Sequence, residues 1–236
     1  MLCLYIEAPF AVFRPFTAGS FRPTADFITP SAAYGLLMNI AGIETRFFDD
    51  TKPMTLIKSE GLPKLKIALG APPTKDNPLK ISLPLKHSLF QQLHNYPVGN
   101  TGKERATDTK GTKYNIQPVR RSFLSNLKAF IMFEGAMEFE RQFLEGIKGN
   151  LSTRYGIPFL GDNNFLVDKL IIREKTGPLF WYEKITGDTG GILDDATRLT
   201  ITIDRFDMSR TKTALFSPIR APVENPPDSA WVEVAY

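Results

Sequence analysis

The sequence predicts an α+β fold, and the prediction rests on three observations. Several short segments alternate apolar residues with other residues, which is the pattern of half-buried strands. Two longer segments repeat apolar residues at helical spacing. The first six elements follow the order strand, helix, strand, strand, helix, strand, which is the split βαβ or ferredoxin-like pattern. The 236 residues are 42% hydrophobic, a composition that favours a packed globular domain over a disordered chain.

The first strand and the first helix are the most clearly marked elements. Alternating residues near the N-terminus predict a strand with at least one buried face. These residues are Leu2, Cys3, Leu4, Tyr5, Ile6 and Glu7. The first helix is predicted from about Ser31 to Ala41. Thr29 suits its N-cap and Pro30 its first helical position, where a missing N–H costs nothing, and Gly42 is a natural stop.

Weaker patterns predict the other elements. The remaining core elements are a strand at Leu65–Leu69, a strand at Ala129–Phe133, a helix at Met137–Ile147 ending at Gly149, and a strand at about Phe165–Arg173. Three later strands are predicted at Leu179–Ile185, Leu199–Ile203 and Trp231–Tyr236. We therefore predict a core domain over residues 1–175 and a small C-terminal β region over residues 176–236. The sequence leaves open whether this region is a separate domain or extends the first sheet.

A long basic insertion, about residues 71–122, separates the second and third core strands. Residues 75–121 contain nine cations against three carboxylates, whereas the rest of the chain has a net charge of −2. Aromatic and histidine rings lie between these cations, and nucleic-acid binding needs both neutralised phosphates and rings on which bases stack. The alternative is a solvated loop kept soluble by its lysines. The candidate binding residues in this insertion are Lys86, His87, Lys103, Arg105, Lys110, Lys113, Arg120 and Arg121.

Two Phe-Arg-Pro steps precede the first helix, and they contain Arg14 and Arg22. A guanidinium group can clamp a phosphate with two hydrogen bonds or stack on a base. Both arginines also lie just before a helix N-terminus, which attracts anions. We therefore predict that Arg14 and Arg22 bind phosphate. The alternative is a surface salt bridge to Asp26, Asp49 or Asp50.

The order of these features resembles the RAMP superfamily of RNA-binding CRISPR-associated (Cas) proteins. The closest match is the fifth Cas family, the subunit that holds the 5′ handle of the guide RNA in type I Cascade complexes. The resemblance covers about the first forty-five residues and includes the apolar strand, the Phe-Arg step, the Pro-rich helix start and Gly35-Leu36-Leu37. A weaker similarity lies at Tyr155–Gly161, where the family often carries a Pro-Tyr-Leu-Gly turn.

This resemblance implies a RAMP domain, a ferredoxin-like and RRM-like βαββαβ unit, in which the basic insertion is a β-hairpin thumb. Residues 115–119 could form the returning arm of that thumb. It also implies a non-catalytic subunit that grips the 5′ handle of the crRNA and caps the foot of the backbone filament. The expected partners are the crRNA, the Cascade backbone subunit and the Cascade large subunit, with target DNA contacted only indirectly.

Two other functions remain open. One branch of the family, from type I-C systems, cleaves precursor CRISPR repeats without a metal. Such cleavage needs a base, a proton donor and a cation, and Tyr34, Lys86 and His87 could supply them. The second alternative is a scaffold that does not bind nucleic acid, in which Phe-rich loops contact other proteins.

Several other functional classes find no support. Cys3 is the only cysteine, which excludes an intrachain disulfide and a cysteine-based metal site. Neither the nucleotide-binding glycine motifs nor a G-x-S-x-G elbow is present. The acidic pairs Asp49-Asp50 and Asp194-Asp195 lack further carboxylates at ligand spacing. We therefore predict no metal and no cofactor. With no leader-like segment and no apolar run of membrane length, we expect a soluble cytoplasmic protein without a membrane partner.

Overall fold

The computed structural model describes residues 1–15, 21–47, 56–58, 60–94, 116–152, 156–186 and 195–236. These residues form two α-helices, α1 (Pro30–Ile40) and α2 (Met137–Lys148). The strands before α2 are β1 (Leu2–Ala11), β2 (Phe21–Arg22), β3 (Arg46–Phe47), β4 (Leu56–Ile57), β5 (Leu65–Ala71), β6 (Leu85–His94) and β7 (Ile116–Glu134). The strands after α2 are β8 (Lys169–Ile172), β9 (Phe180–Lys184), β10 (Thr197–Thr202), β11 (Lys212–Pro218) and β12 (Val232–Val234).

Most of the strands belong to one large sheet. Its strand order is β10–β11–β9–β5–β7–β1–β8, with β12 also paired to β5 and with β2 and β6 also paired to β7. The pairings are antiparallel except for the parallel contact between β2 and β7. Strands β3 and β4 form a separate two-stranded ribbon. The predicted α+β class is therefore confirmed.

The main core lies between one face of the sheet and the helices. Leu4 and Ile6 point into it from β1, while Cys3 points to the opposite face and packs in a smaller cluster with Trp181. This alternation confirms the predicted strand. Burial raises the pKa of the Cys3 thiol to about 12, as expected for a cysteine that acts as a small apolar residue.

The first helix follows its sequence signals closely. The hydroxyl of Thr29 accepts the backbone N–H of Ala32 at 3.2 Å, which is the N-cap bond that the sequence predicts. Pro30 lies in the first turn and Gly42 follows the last turn with φ 71°. The end of α1 then packs closely on α2, where a side chain at Gly146 would overlap the carbonyl oxygen of Ile40.

The third core strand is much longer than predicted. Strand β7 begins at Ile116 rather than near Ala129, because its first half pairs with β6 to form a hairpin that projects from the core. The returning arm suggested at residues 115–119 falls within β7 from Ile116 onward. Leu124 and Leu127 both face the main core although they are three positions apart, an offset that places strand residues on opposite faces. The change of face occurs at Asn126, whose φ is 57°, a conformation that asparagine tolerates better than most residues.

One further prediction is corrected, and one open question is answered. The strand predicted at Phe165–Arg173 is limited to Lys169–Ile172, because the residues before it form a turn closed by hydrogen bonds between Leu160 and Phe165 and between Phe165 and Asp162. The open question about the C-terminal strands is answered by β9, which pairs with β5 at Gly70 and Trp181. The C-terminal strands therefore extend the main sheet. The division at about residue 175 stays a prediction.

None of the helices in the described part of the chain combines the length and apolar character needed to cross a membrane.

Candidate nucleic-acid interface

Three arginines and one aspartate meet beside the base of the β6–β7 hairpin, and we call them the arginine cluster: Arg14, Arg22, Arg121 and Asp162. The Asp162 carboxylate accepts a hydrogen bond from Arg121 at 2.6 Å and from Arg14 at 3.3 Å. Arg22 lies opposite Arg121 in the parallel β2–β7 pair, so their side chains share a face. Within the described residues Arg22 has no carboxylate partner. The cluster therefore carries two more positive charges than negative ones.

Repulsion between these cations affects the pKa of Arg14. Burial lowers the pKa of the Arg14 guanidinium most, the neighbouring charges of Arg121 and Arg22 lower it further, and Asp162 partly offsets them. Arg14 stays charged at neutral pH because its ordinary pKa is so high. Because the three guanidinium groups repel one another, an anion bound between them would stabilise the cluster. Among the described residues, Arg14 forms its salt bridge with Asp162 and not with Asp26. Asp26 pairs instead with Lys86, and Asp49 and Asp50 lie outside the described residues.

Asp162 reaches the arginines because Gly161 lies directly on β1. Gly161 has φ 81°, and a side chain there would overlap the carbonyl oxygen of Val12. The Val12 N–H donates to the carbonyl of Leu160 at 3.1 Å, which ties the same turn to the end of β1. Leu160 and Gly161, at the end of the segment noted in the sequence at residues 155–161, thus hold the turn that presents Asp162 against β1.

A ladder of rings continues from the arginine cluster along the same side of the hairpin, and we call it the aromatic ladder: His87, Phe123, Phe10 and Phe165. The His87 and Phe123 rings stack with centroids 5.3 Å apart, and Phe10 lies 5.8 Å from Phe123 and 5.9 Å from Phe165. Phe10 is 44% exposed. Phe123 is two residues from Arg121 on β7, so both side chains point the same way. Cations next to exposed rings form a surface that suits unpaired nucleotides.

Arg120 lies on the other face of the hairpin, as the alternation of β7 requires. Its guanidinium donates to the Ser88 hydroxyl at 3.1 and 3.2 Å and lies 5.9 Å from the centre of the Phe21 ring. Phe21, Phe90 and Pro118 complete a groove of about 360 Å³ around it. The prediction that Arg120 and Arg121 point to opposite sides of a strand is confirmed, and each arginine lies beside exposed or half-buried rings.

The predicted role of the helix N-terminus is wrong. Thr29, Pro30 and Ser31 are all buried, and the Thr29 hydroxyl caps the first turn. The start of α1 is buried because the residues just before it, Phe27 and Ile28, are fully buried in the core. The first turn of the helix is therefore not open to a phosphate.

The three residues considered for RNA cleavage contact different partners. Tyr34 is 2% exposed, and its hydroxyl donates to the carbonyl of Pro63 at 2.8 Å. Burial raises its pKa above the ordinary range, so it holds its proton. Lys86 pairs with Asp26 at 2.7 Å, and His87 Nε2 bonds the Ser125 hydroxyl at 2.8 Å. Adjacent residues of a strand point to opposite faces, which separates Lys86 from His87.

The remaining predicted contacts lie outside the described residues: Lys103, Arg105, Lys110 and Lys113. Sequence reasoning missed Asp162, Phe10 and Phe165, which the fold brings to this surface from distant parts of the chain. The glycine before Asp162 is the only local signal that could have pointed to it. Among the described residues, no group of three or more His, Cys, Asp or Glu side chains is placed to hold a metal ion.

Asp162 makes the stability of the cluster depend on pH. Burial would raise the pKa of its carboxyl, but the hydrogen bonds from Arg121 and the Asn164 N–H and the charges of Arg121 and Arg14 lower it below its ordinary 3.8. The stabilisation is therefore present above that value and is lost as the pH falls through the lowered pKa. We expect Asp162→Asn to lower the urea midpoint at pH 7, with the difference shrinking as the pH falls below about 4. A difference that stayed constant down to pH 2 would contradict this account.

Comparison with known proteins agrees with this geometry. The chain is similar to a solved structure described as "CRISPR RNA-guided surveillance complex", with a TM-score of 0.56, 15% identity, and coverage of 97% of this chain and 95% of that one. A second solved structure, "Crystal structure of Cas protein", has a TM-score of 0.43 and 12% identity over 96% of this chain and 99% of that one. A search of curated proteins finds no match. A family model described as CRISPR-associated protein (Cas_Cas5) matches residues 1–177. Since this match covers well over half of the chain, the protein belongs to the Cas5 family of CRISPR-associated proteins.

Proposed function

We propose that this chain is a non-catalytic, RNA-binding subunit of a type I Cascade complex and that it grips the 5′ handle of the crRNA. The observation that carries the proposal is the arginine cluster, in which Arg14 and Arg121 share the Asp162 carboxylate, with Arg22 opposite Arg121, beside the aromatic ladder. A phosphate would add the negative charge that the cluster lacks, and splayed bases would find rings next to it. Membership of the Cas5 family and the likeness to a surveillance complex support the same role.

The same proposal extends to the architecture and the partners. We infer that β1, α1, β5, β7, α2 and β8 form a ferredoxin-like RAMP core, because their strand order β5–β7–β1–β8 is antiparallel throughout. The β6–β7 hairpin is then the thumb. In the assembled complex the hairpin would lie over the guide RNA beside a backbone subunit, with the large subunit close by and the target DNA contacted indirectly.

The contacts of Tyr34 favour a non-catalytic role. A cleavage site needs its acid, base and cation within reach of one phosphate, about 3 Å from each reacting atom. Tyr34 instead donates its proton to a backbone carbonyl inside the core, and its ring packs 5.2 Å from that of Tyr236. Lys86 and His87 lie on opposite faces of the hairpin and bond to Asp26 and Ser125.

The proposal is tested by mixing the purified protein with the host's CRISPR repeat RNA in EDTA and running native and denaturing gels. We expect a shifted band that contains intact RNA. A specific cleavage product that His87→Ala abolishes would contradict the non-catalytic role. An unshifted band, with the protein shown to be folded by circular dichroism, would contradict handle binding by the chain and favour a scaffold.

A further inference from the structure

A second groove is lined by residues that belong neither to the arginine cluster nor to the hairpin, and we call it the C-terminal groove. It has a volume of about 460 Å³ and is formed by the β3–β4 ribbon, the residues that follow β10, and the end of the chain. Leu56, Ile57 and Ile203 contribute its apolar floor. Phe47 and Phe206 line its sides and are 40% and 68% exposed.

Four cations line the C-terminal groove: Lys58, Arg205, Arg210 and Lys212. Within the described residues, only Arg210 among them has a carboxylate partner, Asp207 at 3.3 Å. The single acidic residue of the lining, Asp204, turns its carboxylate toward its own loop, where it accepts the N–H groups of Phe206 and Asp207 at 2.9 Å. Set against Asp204 and Asp207, these four cations leave the described part of the groove with a net positive charge.

This groove is separate from the arginine cluster. Strands β10 and β11 lie at one end of the sheet, and β9 and β5 stand between them and β7. Most of its lining also follows residue 177, where the match to the Cas5 family model ends. The count of charges along the sequence found the excess of cations in residues 75–121. Folding gathers a second group of cations, because it brings Lys58 together with three cations from residues 205–212.

We propose that the C-terminal groove is a second binding site for single-stranded nucleic acid. Cations spaced along a groove neutralise successive phosphates, and exposed rings between them stack on bases without sequence preference. Arg205 and Phe206 present both functions on adjacent residues. An acidic peptide would use the same cations, but the two exposed phenyl rings favour a ligand that is both anionic and flat.

The test uses 15-nucleotide oligouridylate and oligothymidylate, which contain no repeat sequence, so its result does not depend on handle recognition. Binding is measured by fluorescence anisotropy at several salt concentrations, in protein that also carries Arg14→Gln and Arg22→Gln to weaken the first interface. We expect Arg205→Gln with Lys212→Gln to flatten the salt slope by about 1.4, or about 0.7 for each lost contact. Phe206→Ala should lower the affinity about tenfold, and Phe206→Trp should restore it.

The matched control is Lys64→Gln with Lys175→Gln, which removes two exposed cations outside the groove and should leave the binding unchanged. Oligomers carrying 4-thiouridine or 4-thiothymidine should crosslink to Phe47 or Phe206, and comparison of the two shows whether RNA or DNA is preferred. Equal effects of the groove and control pairs, or crosslinks only to the hairpin, would overturn the proposal. Binding of an acidic peptide but of neither oligomer would also overturn it.

Discussion

Gly161→Ala is expected to lower the free energy of unfolding by about 3 kcal/mol and to weaken RNA binding at the same time. The first part of the loss comes from the positive φ of 81°, which costs an L-residue about 1–2 kcal/mol. The second part comes from overlap between the new methyl group and the carbonyl oxygen of Val12. Relief of that overlap moves the turn off β1 and takes Asp162 away from Arg14 and Arg121.

Gly149→Ala is the matched control for this prediction. Gly149 has nearly the same φ, 80°, at the end of α2, but nothing lies within 4 Å of the methyl group that alanine would add. Its cost is therefore the conformational term alone, about 1 kcal/mol. Urea denaturation of the two variants measures the difference. If Gly161→Ala were no less stable than Gly149→Ala, the contact with Val12 would not be what fixes the turn.

Arg14→Gln combined with Arg22→Gln is expected to lower the affinity for repeat RNA about 100-fold. A hydrogen bond to a charged group contributes about 1.5–3 kcal/mol, and 1.4 kcal/mol corresponds to a factor of ten. Loss of two phosphate contacts should also flatten the salt slope by about 1.4. Asp162 keeps Arg121 as its partner in this variant, at 2.6 Å, so the turn stays in place. Anisotropy titrations between about 50 and 200 mM salt give both quantities.

Two controls separate geometry from charge in this experiment. Lys64→Gln with Lys175→Gln removes the same number of charges from exposed positions elsewhere and should change the affinity little. Arg14→Lys with Arg22→Lys keeps the charge but loses the planar fork, so the salt slope should stay while the affinity falls. Equal losses in the glutamine pairs would mean that net charge alone attracts the RNA and that the arginine cluster is not a site.

The parts of the fold that follow from local signals could be predicted from the sequence. Thr29 and Pro30 mark the start of α1 because capping depends only on neighbouring residues. The alternation in β1 is equally local. In the first half of β7 the sequence suggested only residues 115–119, because Arg120, Arg121 and Ser122 then break the alternation with apolar residues. The paired residues 85–91 of β6 are exposed, so burial imposes no clear pattern on that arm of the hairpin.

The candidate site could be predicted only in part. Arg14, Arg22, Arg120 and Arg121 were identified from residue type and spacing. Asp162 is 148 residues from Arg14 in sequence, and no local pattern connects two residues at that distance. The attachment of the C-terminal strands depends in the same way on Gly70, whose missing side chain leaves room for the Trp181 ring. Such a contact is chosen by complementary shape, which a single sequence does not encode visibly.

Strand β7 connects the β6–β7 hairpin to the core of the sheet. Its 19 residues run from the core to Ile116, which pairs with His94 at the outermost described position of the hairpin. Asn126, the residue of β7 with left-handed backbone, lies between the two parts. The ten residues from Ile116 to Ser125 span about 33 Å at about 3.3 Å per residue. A turn of about 10° at Asn126 would carry the far end about 6 Å. Such a rotation would change the angle between the hairpin and the Ala129–Phe133 segment of the sheet.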